Sequence, residues 1–314
     1  MINILITDGM EKTSLEELKK MNYNIVEEHY SKEELFQEVK KYNILIIRSA
    51  TKITKDIIDE ARKTNNLQLI IRAGVGLDNI DVEYATLEGI AVRNTPSASK
   101  TAVAELVIGH ILNMARFLHH SNITMRNGEW NKNIYQGIEI EGKTLGIVGF
   151  GRIGRELAKK AKALGMKIKL YDVITPIINN KEYEFSDLDE LFARSDFISF
   201  HVPHKTGEKS MIGREEIEKM KDGVYLVNCA RGGVIDEDTL IEALDNGKVA
   251  GAAIDVFMNE PKPDPILCNH DRVSITPHIG ASTREAQWKI GQEINNIILE
   301  FWKESKLSDN IKTI

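Results

Sequence analysis

The sequence predicts an α/β protein built on two doubly wound parallel sheets. Short apolar runs alternate with amphipathic segments from Met1 to Asn94, and a second such series opens at a glycine-rich turn, Gly149-Phe-Gly151-Arg152-Ile153-Gly154. Pro96 and one long apolar-periodic stretch separate the two series.

In the first series the predicted strands are Ile2 to Ile6, Tyr23 to Val26, Ile44 to Ile47, Leu69 to Ile71 and Ile90 to Val92. Ser14 with Glu17 and Ser31 with Glu34 place a hydroxyl three residues before a glutamate, the signature of a helix-starting capping box. Strands alternating with helices imply a parallel sheet covered on both faces. Lys100 to His120 then reads as one long helix, suited to carrying the chain into a second domain. Ser121 to Gly142 is polar and reads as an arm in which the aromatics Trp130 and Tyr135 suit a subunit contact.

The second series has predicted strands Leu145 to Val148, Ile168 to Tyr171, Phe197 to Phe200, Val224 to Val227, Gly251 to Ile254 and Val273 to Thr276. After Pro277 an amphipathic helix, Thr283 to Trp302, has no strand of its own to cover and is expected to return to the first domain. The predicted domains are therefore 1–94 with 283–314, discontinuous and flavodoxin-like, and 95–282, of the Rossmann kind.

Gly149, Gly151 and Gly154 hold the first, third and sixth places of a G-x-G-x-x-G turn between a strand and a helix. In that helix Ile153, Leu157, Ala161 and Leu164 share a face, and Gly165 stops it. Such a turn lets backbone approach a pyrophosphate and aims helix N–H groups at it. Asp172, eighteen residues after Gly154, ends the next strand. A carboxylate there accepts from a ribose 2′-hydroxyl and repels a 2′-phosphate, which favours NAD over NADP.

Composition narrows the classes. The 314 residues carry 41 Lys plus Arg against 47 Asp plus Glu, so there is no basic field for nucleic acid. No apolar run approaches the roughly 18 residues of a membrane span, and the N-terminus lacks a signal-peptide pattern. With only Cys229 and Cys268, neither a disulfide framework nor a metal centre is expected, and a cytoplasmic location is. The sequon Asn122-Ile-Thr124 reads as an accident of composition.

Ligands in open α/β sheets bind at carboxyl ends of strands. Three such ends carry Asn228-Cys-Ala-Arg231, Asp255-Val-Phe-Met-Asn-Glu260 and Thr276-Pro-His278. Singly, each has an ordinary reading as a loop charge or surface histidine. Together on successive strand ends they suit reduction of a ketone or its reverse. A histidine exchanges the proton near its usual pKa of about 6.5, a carboxylate fixes its tautomer, and an arginine clamps a substrate carboxylate. A 2-hydroxy or 2-keto acid is the expected substrate.

Over nearly its whole length the chain resembles the D-2-hydroxyacid dehydrogenases, and within them the branch that oxidises 3-phospho-D-glycerate. The resemblance is carried by Arg48-Ser-Ala-Thr-Lys-Ile-Thr, Arg72-Ala-Gly-Val-Gly-Leu-Asp-Asn-Ile-Asp81, Asn94-Thr-Pro-Ser, the glycine turn, Asn228-Cys-Ala-Arg-Gly-Gly and Pro277-His-Ile-Gly-Ala-Ser. It implies that Arg231 binds substrate, Glu260 pairs with His278, and His278 is the acid/base. It places Arg48, Ser49, Arg72, Val75 and Gly76 at the substrate; Lys132, in the predicted arm, is a weaker third candidate cation, from the same subunit or across a subunit interface. It places Arg152, Ile153, Asp172, His201, Val202, Cys229 and Asp255 at the cofactor, joined by Val75, the three turn glycines, Ala230, Arg231, His278 and Gly280. A homodimer or homotetramer is implied. Longer members of that branch carry a C-terminal regulatory domain, whereas this chain stops twelve residues after Trp302, so serine feedback is not expected.

The implied reaction is NAD-dependent oxidation of 3-phospho-D-glycerate to 3-phosphohydroxypyruvate, the entry to serine synthesis. A glyoxylate, hydroxypyruvate or lactate-type reductase is the sibling reading. The reading from another class is an NAD-sensing binding protein like the C-terminal-binding corepressors, which would need a groove for partner peptides.

Overall fold

The computed structural model describes residues 1–174, 183–205 and 207–311, the side chains of 304–311 excepted. The chain divides into two compact units, Met1–Ser99 with Ala281–Ile314, and Lys100–Gly280.

In the first unit the apolar runs become β1 (Asn3–Ile6), β2 (Asn24–Glu27), β3 (Ile44–Ile47), β4 (Leu69–Arg72) and β5 (Ala91–Asn94). All pair in parallel, in the order β2-β1-β3-β4-β5, the flavodoxin-type winding. All four residues of β3 are buried because both faces are covered, which is why its sequence shows a continuous apolar run. Leu45, Ile47 and Ile70 pack with Ile57 and Ile58 on one face. Ile44, Ile46 and Ile71 pack on the other with Leu15 and Leu18 and with Ile290, Ile294 and Ile298 of the last helix, Arg284–Ile311.

The Ser31–Glu34 capping box forms, with Glu34 N–H on Ser31 Oγ at 3.3 Å and Ser31 N–H on the Glu34 carboxylate at 2.8 Å. Ser14 does not cap its helix. Glu11, three residues earlier, accepts the Thr13 and Ser14 N–H groups at 2.9 Å each. Ser14 is instead buried in the first turn, where a Cβ on Gly291 of the last helix would fall 2.3 Å from its Oγ.

The second unit contains β6 (Thr144–Val148), β7 (Lys167–Tyr171), β8 (Glu184–Phe185), β9 (Phe197–Phe200), β10 (Val224–Asn228), β11 (Val249–Ile254) and β12 (Val273–Ile275). They are parallel, in the order β12-β11-β10-β9-β6-β7-β8. Winding reverses between β6 and β9, and the glycine turn leaves β6 at that switch point, where this fold class binds ligands. Among the described residues there are seven strands where the sequence predicts six; β8, of two residues, is too short to show a period.

The predicted single helix from Lys100 to His120 is broken. Helix Lys100–Arg116 ends at Phe117, which adopts left-handed φ of 52°, and Leu118–Arg126 continues at a bend of 63°. Asn113 Oδ1 accepts the His119 N–H across the break at 2.8 Å, while Phe117 packs on Tyr135 with ring centroids 6.0 Å apart. Residues 121–126, read as polar arm, are thus helical. Tyr135 is half-buried with its hydroxyl 2.9 Å from Thr124 Oγ1; Trp130 alone of the predicted aromatic pair is exposed, at 78%. Among the described residues no single helix is long and apolar enough to cross a membrane.

Candidate active site

The three turn glycines are present for different reasons. Gly149 has φ of 98°, and a Cβ on it would meet the His201 carbonyl oxygen at 2.5 Å. A Cβ on Gly154 would fall 2.2 Å from the Gly149 carbonyl oxygen, so only glycine lets the helix lie against the turn. Among the described residues Gly151 has no atom within 4 Å of its Cβ position beyond its chain neighbours and its own helix backbone. No described residue demands glycine there, whereas close approach by a ligand does. Gly151 is also the N-cap of helix Arg152–Ala163 and provides no side-chain cap; Arg152 is exposed and Ile153 half-buried in the first turn. An open glycine and helix N–H groups beside a strand-end carboxylate fit a pyrophosphate-bridged dinucleotide.

Asp172 Oδ2 accepts the Phe150 N–H at 2.6 Å and Oδ1 accepts the Ile174 N–H at 2.9 Å. The carboxylate therefore ties down the glycine turn itself, a role the spacing did not reveal. On the far side of the turn, Val202 Cγ1 lies 3.2 Å from the Cβ position of Gly149. His201 is neutral: burial pushes its imidazole down to about 4, Nε2 meets Ser199 Oγ at 3.0 Å, and the buried Nδ1 has no partner among the described residues.

His278, Glu260 and Arg231 come together. His278 Nδ1 is 2.8 Å from Glu260 Oε2, and Glu260 Oε1 accepts the Phe257 N–H at 3.0 Å. Burial works to raise the Glu260 carboxyl, but the His278 hydrogen bond and charge, the Phe257 N–H and the Arg231 charge outweigh it and hold it below the usual range. An ionised carboxylate only accepts, so Nδ1 carries a proton and Nε2 is the nitrogen left to exchange one. Among the described residues Nε2 makes no hydrogen bond. Asn228 shapes the arginine turn by accepting the Ala230 N–H at 3.1 Å and donating to the Arg231 carbonyl at 2.8 Å, and Arg231 Nη1 donates to the Ala230 carbonyl at 2.5 Å. A Cβ on Gly232 would fall 2.0 Å from the Phe257 carbonyl oxygen, so glycine lets this turn press against the Glu260 loop.

Cys229 is buried, and burial, with the Asp255 charge, pushes its thiol well up, so it is no nucleophile. Asp255 lies under the His278 loop: its oxygens accept from Thr276 Oγ1 at 2.6 Å, Ile279 N–H at 2.8 Å and Gly280 N–H at 2.9 Å.

The remaining sequence-selected residues, Lys132 excepted, belong to the first unit. The Arg48 loop is braced at both backbone groups, its N–H donating to Asp8 Oδ2 at 2.7 Å and its carbonyl accepting from Asn79 Nδ2 at 2.6 Å. The Arg48 guanidinium makes no ion pair or hydrogen bond among the described residues, and Ser49 is exposed. Ile47 pairs with Arg72, so the loops leaving β3 and β4 are neighbours. The Arg72 guanidinium folds back over Gly74, donating to the Ala73 carbonyl at 3.3 Å; a Cβ on Gly74 would sit 1.5 Å from its Nη1. Asn94 Nδ2 holds the Val75 carbonyl at 2.5 Å, and the Val75 and Gly76 N–H groups bond to no described residue. Lys132 is exposed in the short turn Lys132–Ile134, without an ion pair among the described residues. Sequence reasoning passed over Asp8, and it gave no role to Asn79, Asn228 and Gly232, which stand inside the motifs it singled out.

The family model described as D-isomer specific 2-hydroxyacid dehydrogenase, NAD binding domain, matches residues 108–280. The hydroxypyruvate reductase of Thermotoga maritima is 47% identical over 293 residues, 92% of this chain and 94% of that protein. The D-3-phosphoglycerate dehydrogenase of Methanocaldococcus jannaschii is 44% identical over 314 residues, 99% of this chain but 59% of that protein. The chain thus spans less than two thirds of that dehydrogenase. Among solved structures, D-lactate dehydrogenase from Aquifex aeolicus complexed with NAD and lactic acid matches with TM-score 0.85 at 32% identity, covering 96% of each chain.

Proposed function

The chain belongs to the D-isomer specific 2-hydroxyacid dehydrogenases, a family of NAD-dependent oxidoreductases, and we propose that within it the chain oxidises 3-phospho-D-glycerate to 3-phosphohydroxypyruvate. The observation that carries this choice is Arg48, a cation on a braced loop with no protein partner among the described residues, on the strand end next to Arg72. A phosphate gives such a cation something to bind; the methyl group of pyruvate does not.

On this reading the first unit recognises substrate, with Arg48, Ser49 and Arg72 at the phosphate end and the Val75 and Gly76 N–H groups at the carboxylate. The second unit is the NAD-binding domain, with Gly151 and the helix start at the pyrophosphate, Asp172 at the ribose, and His201, Val202, Cys229 and Ala230 beside them. Bound NAD supplies the hydride acceptor. His278 Nε2 takes the hydroxyl proton, Glu260 stabilises the resulting imidazolium through Nδ1, and Arg231 clamps the substrate carboxylate through its planar fork. We further assign the exposed Trp130 segment to a contact between copies of the chain, in a homodimer or homotetramer.

A second reading, reduction of hydroxypyruvate, is favoured by the near-complete span of the Thermotoga relative. NADH oxidation with phosphohydroxypyruvate, hydroxypyruvate, glyoxylate, pyruvate and 2-oxoglutarate in parallel tests both. The first reading expects the highest kcat/KM with phosphohydroxypyruvate. A preference for unphosphorylated hydroxypyruvate would replace it with the second.

A further inference from the structure

The second unit holds a buried histidine that the proposed chemistry does not use. His110, on helix Lys100–Arg116, is 4% exposed, with Nδ1 2.8 Å from Ser274 Oγ and Nε2 3.1 Å from Thr276 Oγ1. Its neighbours fix which nitrogen bears the proton. Both Asp255 oxygens accept backbone N–H groups, so the Thr276 hydroxyl, 2.6 Å from Oδ1, donates its single proton to that carboxylate. Thr276 must then accept from His110, which places the proton on Nε2. Burial, opposed by the Asp255 charge, lowers the basicity of the ring and keeps it neutral. Nδ1 therefore accepts from Ser274, whose oxygen in turn accepts from Asn113 Nδ2 at 2.7 Å.

The result is a single-direction chain, Asn113 to Ser274 to His110 to Thr276 to Asp255, in which no donor faces a donor. Its far end grips the two N–H groups that follow His278, those of Ile279 and Gly280. His278 itself has φ of 53°, a left-handed conformation that a residue bearing a Cβ adopts only when its surroundings impose it. We propose that His110 is a positioning residue for the proton-transfer step: as the neutral Nε2–H tautomer it orders Thr276 and Asp255, which hold the His278 turn. This rests on reading His278 as the acid/base.

The test separates positioning from mere support of the fold. His110→Leu removes both ring contacts, whereas His110→Gln keeps one acceptor and a donor. At a temperature below the melting of every variant, with the most rapidly reduced of the five keto acids above, His110→Leu is expected to lower kcat about tenfold. KM and the NADH affinity read by fluorescence stay within about twofold, and His110→Gln recovers most of the loss. Thr276→Val cuts the next link and should cost as much, with the double variant His110→Leu/Thr276→Val no worse than Thr276→Val alone. Histidine ¹⁵N resonances should show His110 as a neutral Nε2–H ring. Wild-type turnover in His110→Leu and Thr276→Val, additive losses, or an Nδ1–H or charged His110 each overturn the proposal. Should His110→Leu not fold, Thr276→Val and the resonances decide. The underlying reading fails separately: His278→Gln turning over normally sinks the acid/base assignment, whereas an inactive His278→Gln beside a normal His110→Leu sinks only the positioning role.

Discussion

His278 and Glu260 form a hydrogen-bonded pair at 2.8 Å whose second carboxylate oxygen is already held by the Phe257 N–H. With Oε1 so anchored, Oε2 cannot rotate away from Nδ1 without breaking a backbone contact, so the imidazole has one orientation and one tautomer.

Replacing Glu260 by Gln keeps a hydrogen-bond acceptor but removes the negative charge that stabilises the imidazolium. The histidine then gives up its proton more easily. Keto-acid reduction needs the protonated ring, so its alkaline limb moves to lower pH; alcohol oxidation needs the neutral ring, so its acidic limb moves the same way. Profiles of kcat/KM against pH in both directions measure this. An unmoved profile would separate the pair. His278→Ala should cost about two to four orders of magnitude in turnover while NADH binding stays near normal.

The glycine turn yields a contrast between two identical substitutions. Gly154→Ala drives a methyl group to within 2.2 Å of a backbone oxygen that cannot step aside, and should destabilise the unit by about 1 to 3 kcal/mol. Gly151→Ala meets no atom of another described residue within 4 Å outside its own helix and should leave the melting temperature unchanged while weakening NADH at least about tenfold, because the methyl occupies ligand space. Thermal melts and fluorescence titrations read the two effects. Full NADH affinity in Gly151→Ala would remove the pyrophosphate from this turn.

Asp172→Ala should relax discrimination against NADPH, since the like-charge clash with a 2′-phosphate is lost. The Phe150 N–H loses its acceptor at the same time, so NADH affinity should fall as well. The expected signature is a smaller ratio of NADPH to NADH KM with both values raised. A wild-type protein that used the two cofactors equally would contradict the assignment.

What the sequence disclosed follows from the range over which each signal acts. Runs such as Ile44–Ile47 are apolar throughout because the strand is covered on both faces, and that pattern is local. The bend at Phe117 leaves no local trace: Ile111, Met114 and Ala115 keep the helical period to its edge, and the break is set by packing on Tyr135. Ser14 shows the opposite failure, a local motif overruled by a carboxylate three residues upstream. That His278, Glu260 and Arg231 come together was legible because they stand at successive strand ends. The partners that hold them were not: Thr276 reaches Asp255 across 21 residues and His110 reaches Thr276 across 166.

His201 gives the stability a pH dependence with a definite sign. Burial holds its folded pKa at about 4, below the roughly 6.5 of the unfolded chain. As pH falls through 6.5 the unfolded state takes up a proton that the folded state refuses. The contribution is therefore fully present above about pH 6.5 and lost toward pH 4, amounting at most to about 3 kcal/mol. His110, lowered in the same direction, adds to it. In His201→Asn the difference in urea-unfolding free energy between neutral pH and about pH 4.5 should shrink. An undiminished difference would show that other groups carry the acid sensitivity.

The choice of substrate turns on charge, and the two first-unit arginines should answer differently. Arg48 has its backbone braced by Asp8 and Asn79 and its guanidinium free of described partners, so truncating the side chain leaves the loop in place. Charge-assisted hydrogen bonds contribute roughly 1.5 to 3 kcal/mol each, so Arg48→Ala should cost about ten- to a hundredfold in affinity for phosphohydroxypyruvate. Hydroxypyruvate, identical except for the phosphate, should be nearly indifferent. Arg72 also lies over Gly74 and bonds the Ala73 carbonyl, immediately before the Val75 and Gly76 N–H groups. Arg72→Ala should therefore weaken both substrates, and the phosphorylated one more, because it removes a cation and loosens the loop proposed to hold the shared carboxylate. Steady-state KM values for the two keto acids with each variant supply the comparison. If Arg48→Ala lowered the affinity for both equally, Arg48 would serve the carboxylate, no cation would be reserved for a phosphate, and hydroxypyruvate would become the better-supported substrate.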